Sequence, residues 1–486
     1  MTNHLPKPRP LPTRKTKIVA TVGPSTRSPE MIRELILAGV NVFRLNFSHG
    51  THEQHLEVFR SIREQAKELD QQVAILQDLA GPKIRITPIE EERATIYDMG
   101  TIRLCAAPRP GEPSTADTIY VEELKPHTFL EPGQPILLAD GVIMLEAKSI
   151  EGEVVICEVI KGGRLRSRVG IAFPDSAIDL RATTSKDLED VTWGIKHGVD
   201  YVAISFVQSA HDVHNLRDII KKQGGHTKII SKIERKKALD HLEEIVAASD
   251  GIMVARGDLG LEVPLEQLPR LQKNLIDRAN AHGIPVIVAT QMLASMVTSV
   301  RPTRAEVTDV ANAVTCGTDA VMLSDETAIG EHPLESVRYL AAIAKEAERS
   351  LEFDPESVQR RSCSVNPVPD AIAYAATAAS EKIDATAIIA CTETGTSARL
   401  LSKYRPKKVL FGASPKDTSL RRMALYRGVI PVRVEAVLSH HQEVEGALDA
   451  IKQSYELATG SLAVVISGLS VSQPGSTSIV EIVSIK

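Results

Sequence analysis

Polar and apolar positions along this chain of 486 residues follow two alternating rhythms. Compact apolar runs, "KIVATVG", "NVFRLN" and "QVAILQDL", then "DYVAISF", "TKIISKIE", "DGIMVARG", "IPVIVATQ" and "DAVMLSDE", are rich in β-branched residues and have the length of strands buried on both faces. Around them, apolar residues recur every three or four positions. This predicts amphipathic helices over Pro29 to Ala38, Glu53 to Leu69, Lys186 to Lys196, Lys236 to Ala248 and Arg304 to Val314. Strand plus helix, repeated eight times, is the signature of a parallel sheet that closes most economically as a (β/α)8 TIM barrel. An open doubly wound sheet is the alternative, but it does not usually need so many units.

The rhythm breaks after the third strand. From about Thr87 to Thr184 the chain carries short β-rich pieces and Pro-Gly turns ("PRPGEP", "LEPGQP") without a long helix, predicting a small all-β domain inserted in one barrel loop. Beyond about Asp354, "AIIACTETGTSARLLSKYRP" and "VLFGASP" open a further α/β unit of about 130 residues, enough for a domain of its own. The expected organisation is a flexible lead-in over residues 1–14, a barrel from residues 15–86 and 185–353, the inserted β domain over residues 87–184 and a C-terminal α/β domain over residues 354–486.

A net charge of -5 and a pI near 6.3 argue against an extended basic face, so neither nucleic acid nor a membrane surface is an expected partner. Any bound phosphate must meet local cations. Cys105, Cys157, Cys316, Cys363 and Cys391 are odd in number, far apart and without a C-x-x-C pair, which indicates no disulfide framework or zinc site and fits a reducing, cytoplasmic compartment. Prolines crowd the N-terminus where a signal peptide would carry an apolar run. The longest uncharged stretch, Gly283 to Val300, contains Pro285, Thr290 and Gln291 and is a poor membrane span.

In such a barrel, chemistry sits at the C-terminal ends of the strands. Those ends carry Arg44 and Asn46, Asp78, Ser205 and Phe206, Lys232 and Glu234, Arg256 and Asp258, Thr290 and Gln291, and Ser324 and Glu326. Any one of them alone reads equally well as a solvated loop residue; their recurrence after apolar runs points to a shared mouth. Lys232 and Glu234, two apart on a strand, face one side. Glu234 and Asp258 end neighbouring strands and suit Mg2+ or Mn2+, because such an ion takes one or two carboxylates and completes its shell with water and substrate. Gly257 allows close backbone approach, and N–H groups there can hold a small carboxylate. Arg44, Arg85 and Lys232 supply the positive charge that a migrating phosphoryl group needs. Neither G-x-x-x-x-G-K-[ST] nor G-x-G-x-x-G occurs, so a nucleotide would be held by metal and arginine.

With these residues in place, "FRLNFSHGTHEQH", "SKIE", "IMVARGDLGLEVP", "VATQMLASM", "RPTRAEVTDVANAV" and "VMLSDETAIGEHP" resemble, in order and spacing, the signature blocks of pyruvate kinase, from about Lys15 to the C-terminus. The resemblance implies a small β-barrel lid as the inserted domain, a regulatory C-terminal domain, a homotetramer, and phosphoryl transfer from phosphoenolpyruvate to ADP giving pyruvate and ATP in glycolysis. By position it implies that Arg44 contacts the transferring phosphate and that Lys232 neutralises that group and the enolate oxygen. Glu234 and Asp258 would ligate the divalent ion. Thr290 would position the carboxylate and feed the proton, with Ser324 and Glu326 in a relay behind it. Arg85 would reach the γ-phosphate, and Asn46, Ser48 and His49 would line the nucleotide side, although a histidine in a Ser-His-Gly turn is often structural. Asp140 and Arg168 are candidate lid contacts. Two rivals stand beside this reading. A metal-dependent carbon–carbon lyase of the same barrel class would not need Arg44, Arg85 and Lys232 together; a non-catalytic sugar-phosphate sensor would not need Lys232, Glu234 and Asp258.

Two stretches bear on regulation. "CTETGTSA", Cys391 to Ala398, follows an apolar strand and leads into a helix, so Gly395 and the hydroxyls of Thr392, Thr394, Thr396 and Ser397 can cradle a phosphate. An ordinary helix cap is the plainer alternative. The loop resembles the family's allosteric loop, and Glu393, where members that bind a bisphosphorylated sugar often carry a cation, implies a monophosphorylated sugar or AMP as activator. In "QDLAGPKIR", Gln77 to Arg85, potassium-requiring pyruvate kinases read like D-T-K-G-P-E-I-R-T, with K+ among an Asn, a Ser and the Asp. Asn46, Ser48 and Asp78 are kept, but Leu79, Ala80, Lys83 and Ile86 differ. The expectation is that the Lys83 ammonium takes the ion's place in one set with Asp78 and Arg85, so that K+ is not required.

Overall fold

The computed structural model describes residues 8–351, apart from 91–92, 123, 140, 177 and 179–180, together with residues 367–468 and 477–485. Strands β1 (Lys17–Val22), β2 (Val42–Asn46) and β3 (Ala74–Asp78) lead into the insertion, which holds β4 (Arg93–Ile96), β5 (Thr101–Ala106), β6 (Thr118–Val121), β7 (Pro135–Leu138), β8 (Ile143–Glu151), β9 (Val154–Lys161), β10 (Gly163–Arg166) and β11 (Ile171–Ala172). The chain then returns to β12 (Tyr201–Ile204), β13 (Lys228–Ile233), β14 (Gly251–Ala255), β15 (Val286–Ala289) and β16 (Ala320–Leu323). β1, β2, β3 and β12 to β16 close in that order into one parallel barrel.

Period-2 geometry explains why these strands read as unbroken apolar runs. Val19, Val42, Leu76, Ala203, Ile230, Met253, Ile287 and Met322 form one buried set with the floor of the barrel, while their neighbours Ile18, Phe43, Ile75, Val202, Ile229, Ile252, Val286 and Val321 pack among the helices. The helices start where capping chemistry dictates. Thr51 caps His52–Glu68, Thr184 with Asp187 caps Ser185–His197, and Thr303 with Glu306 caps Arg304–Thr315. The single helix expected over Lys236 to Ala248 is instead two, Lys236–Asp240 and Leu242–Ala248. His241 leaves helical geometry between them, and its Nδ1 lies 2.7 Å from Glu244 in the first turn of the second.

The insertion is a curled sheet in the order β11-β7-β8-β9-β5-β6 with a β10-β4 ribbon, around a core that includes Ile86, Leu104, Val121, Leu138, Leu165 and Phe173. The C-terminal sheet runs β19 (Val429–Arg433), β18 (Val409–Ser414), β17 (Ala387–Cys391), β20 (Leu462–Gly468) and β21 (Thr477–Ser484), the last antiparallel. The expected boundary at Asp354 and the lid candidate Asp140 lie outside the described residues. No helix among the described residues is long and apolar enough to cross a membrane.

The expectation of a loose lead-in is corrected over residues 8–14. The Arg9 amide donates to the Ser454 carbonyl, its guanidinium pairs with Asp70 at 2.9 Å, and Arg14 Nη2 donates to the Gly39 carbonyl at 2.6 Å. Main-chain partners on the barrel rim and the C-terminal domain hold this segment where its composition suggested only turns. Lys17, just beyond it, is buried and donates to the Val429 carbonyl at 2.7 Å. Burial, with Arg14 and Arg427 adding repulsion against the help of Glu348, lowers its pKa to about 7. The folded state therefore binds fewer protons than the unfolded one from about pH 7 up to the ordinary lysine range, and stability rises with pH through that window. Lys17→Met is expected to raise Tm at about pH 6, with the gain shrinking above about pH 8. A lower Tm at the acid end would show that the bond to Val429 outweighs the burial cost.

Candidate active site

Asp78 ends β3 almost wholly buried, and the mouth of the barrel is organised around it. Its Oδ2 lies 2.6 Å from Arg44 Nε and its Oδ1 3.3 Å from Lys232 Nζ. Parallel pairing of β2 with β3 brings the arginine to the acid, and Arg44 Nη1 also donates to Thr21 Oγ1 on β1 at 3.1 Å. Lys232 lies 2.9 Å from Glu234 Oε1 and donates to Ser205 Oγ at 2.8 Å; the Ser205 hydroxyl passes its own hydrogen to the Leu79 carbonyl. Side chains from the ends of β1, β2, β3, β12 and β13 thus converge.

Charge in this cluster is unevenly served. Burial works against the Lys232 ammonium, but Asp78 and Glu234 outweigh it and raise its pKa above the ordinary lysine range. Burial also works against the Asp78 carboxylate, and there Lys232 and Arg44 win and hold its pKa low. For Glu234 burial prevails over Lys232, Asp258 adds repulsion, and the pKa is raised. Glu234 Oε2 accepts the Phe206 N–H at 2.7 Å. Glu234 and Asp258 line one cleft with Lys83, Gly170 and Phe206 between barrel and insertion. A buried carboxylate beside a second one in an open cleft is a donor set that a divalent cation fits. No group of three or more His, Cys, Asp or Glu is assembled among the described residues, so water and substrate oxygens would complete the shell.

The expected set of Asp78, Lys83 and Arg85 does not form. Asp78 faces Arg44 and Lys232 in ion pairs, and Lys83 Nζ instead lies 3.6 Å from Asp258 Oδ1. Arg85 Nη1 donates to the Arg168 carbonyl at 3.0 Å, on the insertion. The turn between them redirects the chain: Gly81 has φ +65°, and a Cβ there would meet Ser205 Cβ at 2.8 Å. The Gly257 N–H, expected to hold a carboxylate, donates to Thr290 Oγ1 at 2.8 Å, which is a second correction. Both oxygens of Glu326 accept main-chain N–H groups, from Leu293 at 3.0 Å and Ser324 at 2.8 Å. On the other side, Asn46 Oδ1 accepts the Ser48 N–H at 3.1 Å, and Ser48 and His49 are exposed. In the distant loop, Thr392 Oγ1 accepts the Gly395 N–H, Ser397 pairs with Thr477, and Thr394 pairs with Thr396.

Two supports were not legible in the sequence. Thr290 and Gln291 are successive non-glycine residues at φ +70° and +54°, a conformation that costs about 1–3 kcal/mol per residue. Arg256 holds them: its Nη2 donates to the carbonyls of Thr290 at 2.8 Å and Gln291 at 3.1 Å, while Nη1 pairs with Asp309 at 2.5 Å. The Phe47–His49 turn is pinned likewise. Lys186 Nζ donates to the Phe47 carbonyl at 2.9 Å, and the His55 ring stacks on Phe47 while its Nε2 donates to the His49 carbonyl at 2.9 Å. A histidine pair at helical spacing, His52 and His55, was the readable signal; the partner helix is too distant in sequence to be inferred.

Fold and site together define a barrel phosphotransferase, in which half-buried cations and a carboxylate pair share one mouth. Residues 13–337 match the family model for the pyruvate kinase barrel domain and residues 370–483 that for the pyruvate kinase alpha/beta domain. The chain is 42% identical to pyruvate kinase 2 of Synechocystis over 98% of its length and 80% of that protein, and 39% identical to pyruvate kinase of Clostridium perfringens over 96% and 99%. It is 38% identical to pyruvate kinase of Geobacillus stearothermophilus over 96% and 80%. The chain belongs to the pyruvate kinase family, whose substrates and products are phosphoenolpyruvate, ADP, ATP and pyruvate and which generally needs Mg2+.

Proposed function

We propose that the chain transfers the phosphoryl group of phosphoenolpyruvate to ADP in glycolysis, as a cytoplasmic homotetramer with the barrel, insertion and C-terminal domain limits expected above. The observation that carries this reading is Asp78 holding Arg44 and Lys232 side by side at the barrel mouth. Two cations fixed side by side at one mouth can both meet the charge of a phosphoryl group. Arg44 orients that group, and Lys232 stabilises charge that moves to the enolate oxygen. Thr290, held by Arg256, presents its hydroxyl toward proton delivery, with Ser324 and Glu326 behind it; Asn46, Ser48, His49 and Arg85 face the nucleotide. Mg2+ or Mn2+ on Glu234 and Asp258 would supply Lewis-acid charge to phosphoryl oxygens. Lys83 makes K+ unnecessary, and the Cys391–Ala398 loop takes a monophosphorylated sugar or AMP as activator.

Turnover of phosphoenolpyruvate with ADP, coupled to pyruvate reduction, tests the reading. Its absence, with cleavage of a pyruvate aldol instead, would favour the lyase, and no turnover of either would favour the sensor. Glu234→Gln and Asp258→Asn are each expected to raise the half-saturating Mg2+ concentration about tenfold or more, since each removes one of only two carboxylates. Unchanged Mg2+ titrations in both variants would remove them from the metal site.

A further inference from the structure

We propose that the helix Ser185–His197, which follows the insertion, positions the nucleotide: Lys186 and Asp190 fix the Phe47–His49 turn in the setting from which Ser48 and His49 meet ADP. This rests on the reading of that turn as the nucleotide side and adds what holds it there. Two loops carry the residues assigned to the nucleotide, one after β2 with Asn46, Ser48 and His49, the other after β3 with Arg85. One helix reaches both. Lys186 Nζ donates to the Phe47 carbonyl at 2.9 Å and pairs with Asp190 Oδ2 at 2.6 Å, while Asp187 Oδ1 accepts the Gly81 N–H at 3.1 Å.

Packing alone does not account for this face of the helix. A helix laid on a barrel ordinarily buries aliphatic residues, yet Asp187 and Asp190 are almost completely buried, at a cost that only full pairing offsets. Asp187 Oδ2 accepts the N–H and the hydroxyl of Thr184, which leaves Oδ1 for Gly81. Asp190 divides its oxygens between Lys186 and His52, whose Nε2 lies 2.7 Å away, and its carbonyl accepts Gln77 Nε2 at 2.6 Å, next to Asp78 on β3. Gly194, one turn further, permits this approach, because a Cβ there would run into Gln77 Oε1. The turn itself is tied at both ends. Phe47 is buried between the stacked His55 ring, 4.1 Å between centroids, and Trp193 at 5.2 Å, and its N–H donates to the Asp78 carbonyl at 2.9 Å. The Phe47 carbonyl goes to Lys186 and the His49 carbonyl to His55, so the exposed Ser48 and His49 side chains project from a fixed backbone. Among these ties, Lys186 is a side chain 56% exposed, so it can be replaced without opening the core.

The experiment uses the full chain at saturating Mg2+, with kcat and the KM values for ADP and phosphoenolpyruvate as separate readouts. Lys186→Met is expected to raise the KM for ADP about tenfold, the scale of one charge-assisted hydrogen bond, with the KM for phosphoenolpyruvate within about twofold of wild type. Lys186→Arg keeps the charge and a donor and is expected to bring the KM for ADP back to within about threefold of wild type. An unchanged KM for ADP in Lys186→Met, an equal rise in both KM values, or a failure of Lys186→Arg to restore the value would each overturn the positioning role. A variant with both Ser48→Ala and His49→Ala separates this role from the reading beneath it. If that variant raises the KM for ADP and Lys186→Met does not, the positioning role falls and the nucleotide reading stands. If that variant leaves the KM for ADP unchanged, the turn does not meet the nucleotide and both fall.

Discussion

Lys232→Met is expected to lower kcat by at least about a hundredfold, a barrier cost of ~3 kcal/mol, the scale of losing one fixed donor to developing charge. The structure sharpens the reason. Lys232 is bound on three sides, by Asp78, Glu234 and Ser205, so its ammonium cannot swing away as charge leaves the phosphoryl group. Asp78 keeps Arg44 in the variant, whereas Glu234 loses the cation that partly offsets its burial, and its pKa must climb further. Activity of the variant should therefore begin to fall at a higher pH on the acid side than that of the wild type, with Mg2+ binding close to normal where Glu234 is ionised. Steady-state rates across pH, with thermal unfolding as a check on integrity, would measure both. A variant that keeps a tenth of wild-type kcat would remove Lys232 from the chemical step.

For Lys83→Glu the expected result is an enzyme that needs K+ or is inactive, while the wild type turns over fully in tetramethylammonium buffer. Lys83 stands on the Asp258 side of the cleft, 3.6 Å from that carboxylate. At an effective dielectric of ~20, a unit charge about 5 Å from another is worth roughly 3 kcal/mol, enough to replace a bound ion. Reversing the sign places a third acid beside Glu234 and Asp258 and removes the cation 3.6 Å from Asp258. Rates with and without KCl at constant ionic strength decide the matter. A wild-type rate that rises a hundredfold with K+ would show that Lys83 does not do the ion's work.

Periodicity carried the barrel well because eight buried parallel strands must be apolar throughout and their helices must be amphipathic; the ends of β1 to β3 and β12 to β16 fall close to the quoted runs. Polar residues at those ends were legible for the same reason, since nothing in a buried strand explains Asp78 or Glu234. What the sequence could not reveal was who meets whom. Arg256 stood out as a strand-end residue, but its grip on Thr290 depends on a backbone turn of unusual sign. Lys83 was placed with Asp78 by proximity along the chain, and the Gly81 turn sends it to Asp258. The anchored Arg9 and Arg14 segment was read as loose because main-chain partners leave no mark on composition.

The place of the insertion also governs how the barrel comes together. Most neighbouring barrel strands pair residues 21 to 34 positions apart, as Ile230 with Gly251 or Ile252 with Val286, whereas β3 and β12 pair Leu76 with Tyr201 across a span of about 125. Closing the longer loop costs about 1 kcal/mol more in chain entropy, and the seam it must close holds Asp78 on one side and Ser205 beyond the other. Unless the β domain folds first and draws its ends together, the catalytic seam is among the last to form. The strands on either side of the insertion can assemble quickly as separate blocks of local contacts, and the enzyme becomes competent only when this seam and the longer one, where Lys17 of β1 meets Ala320 of β16, have both closed.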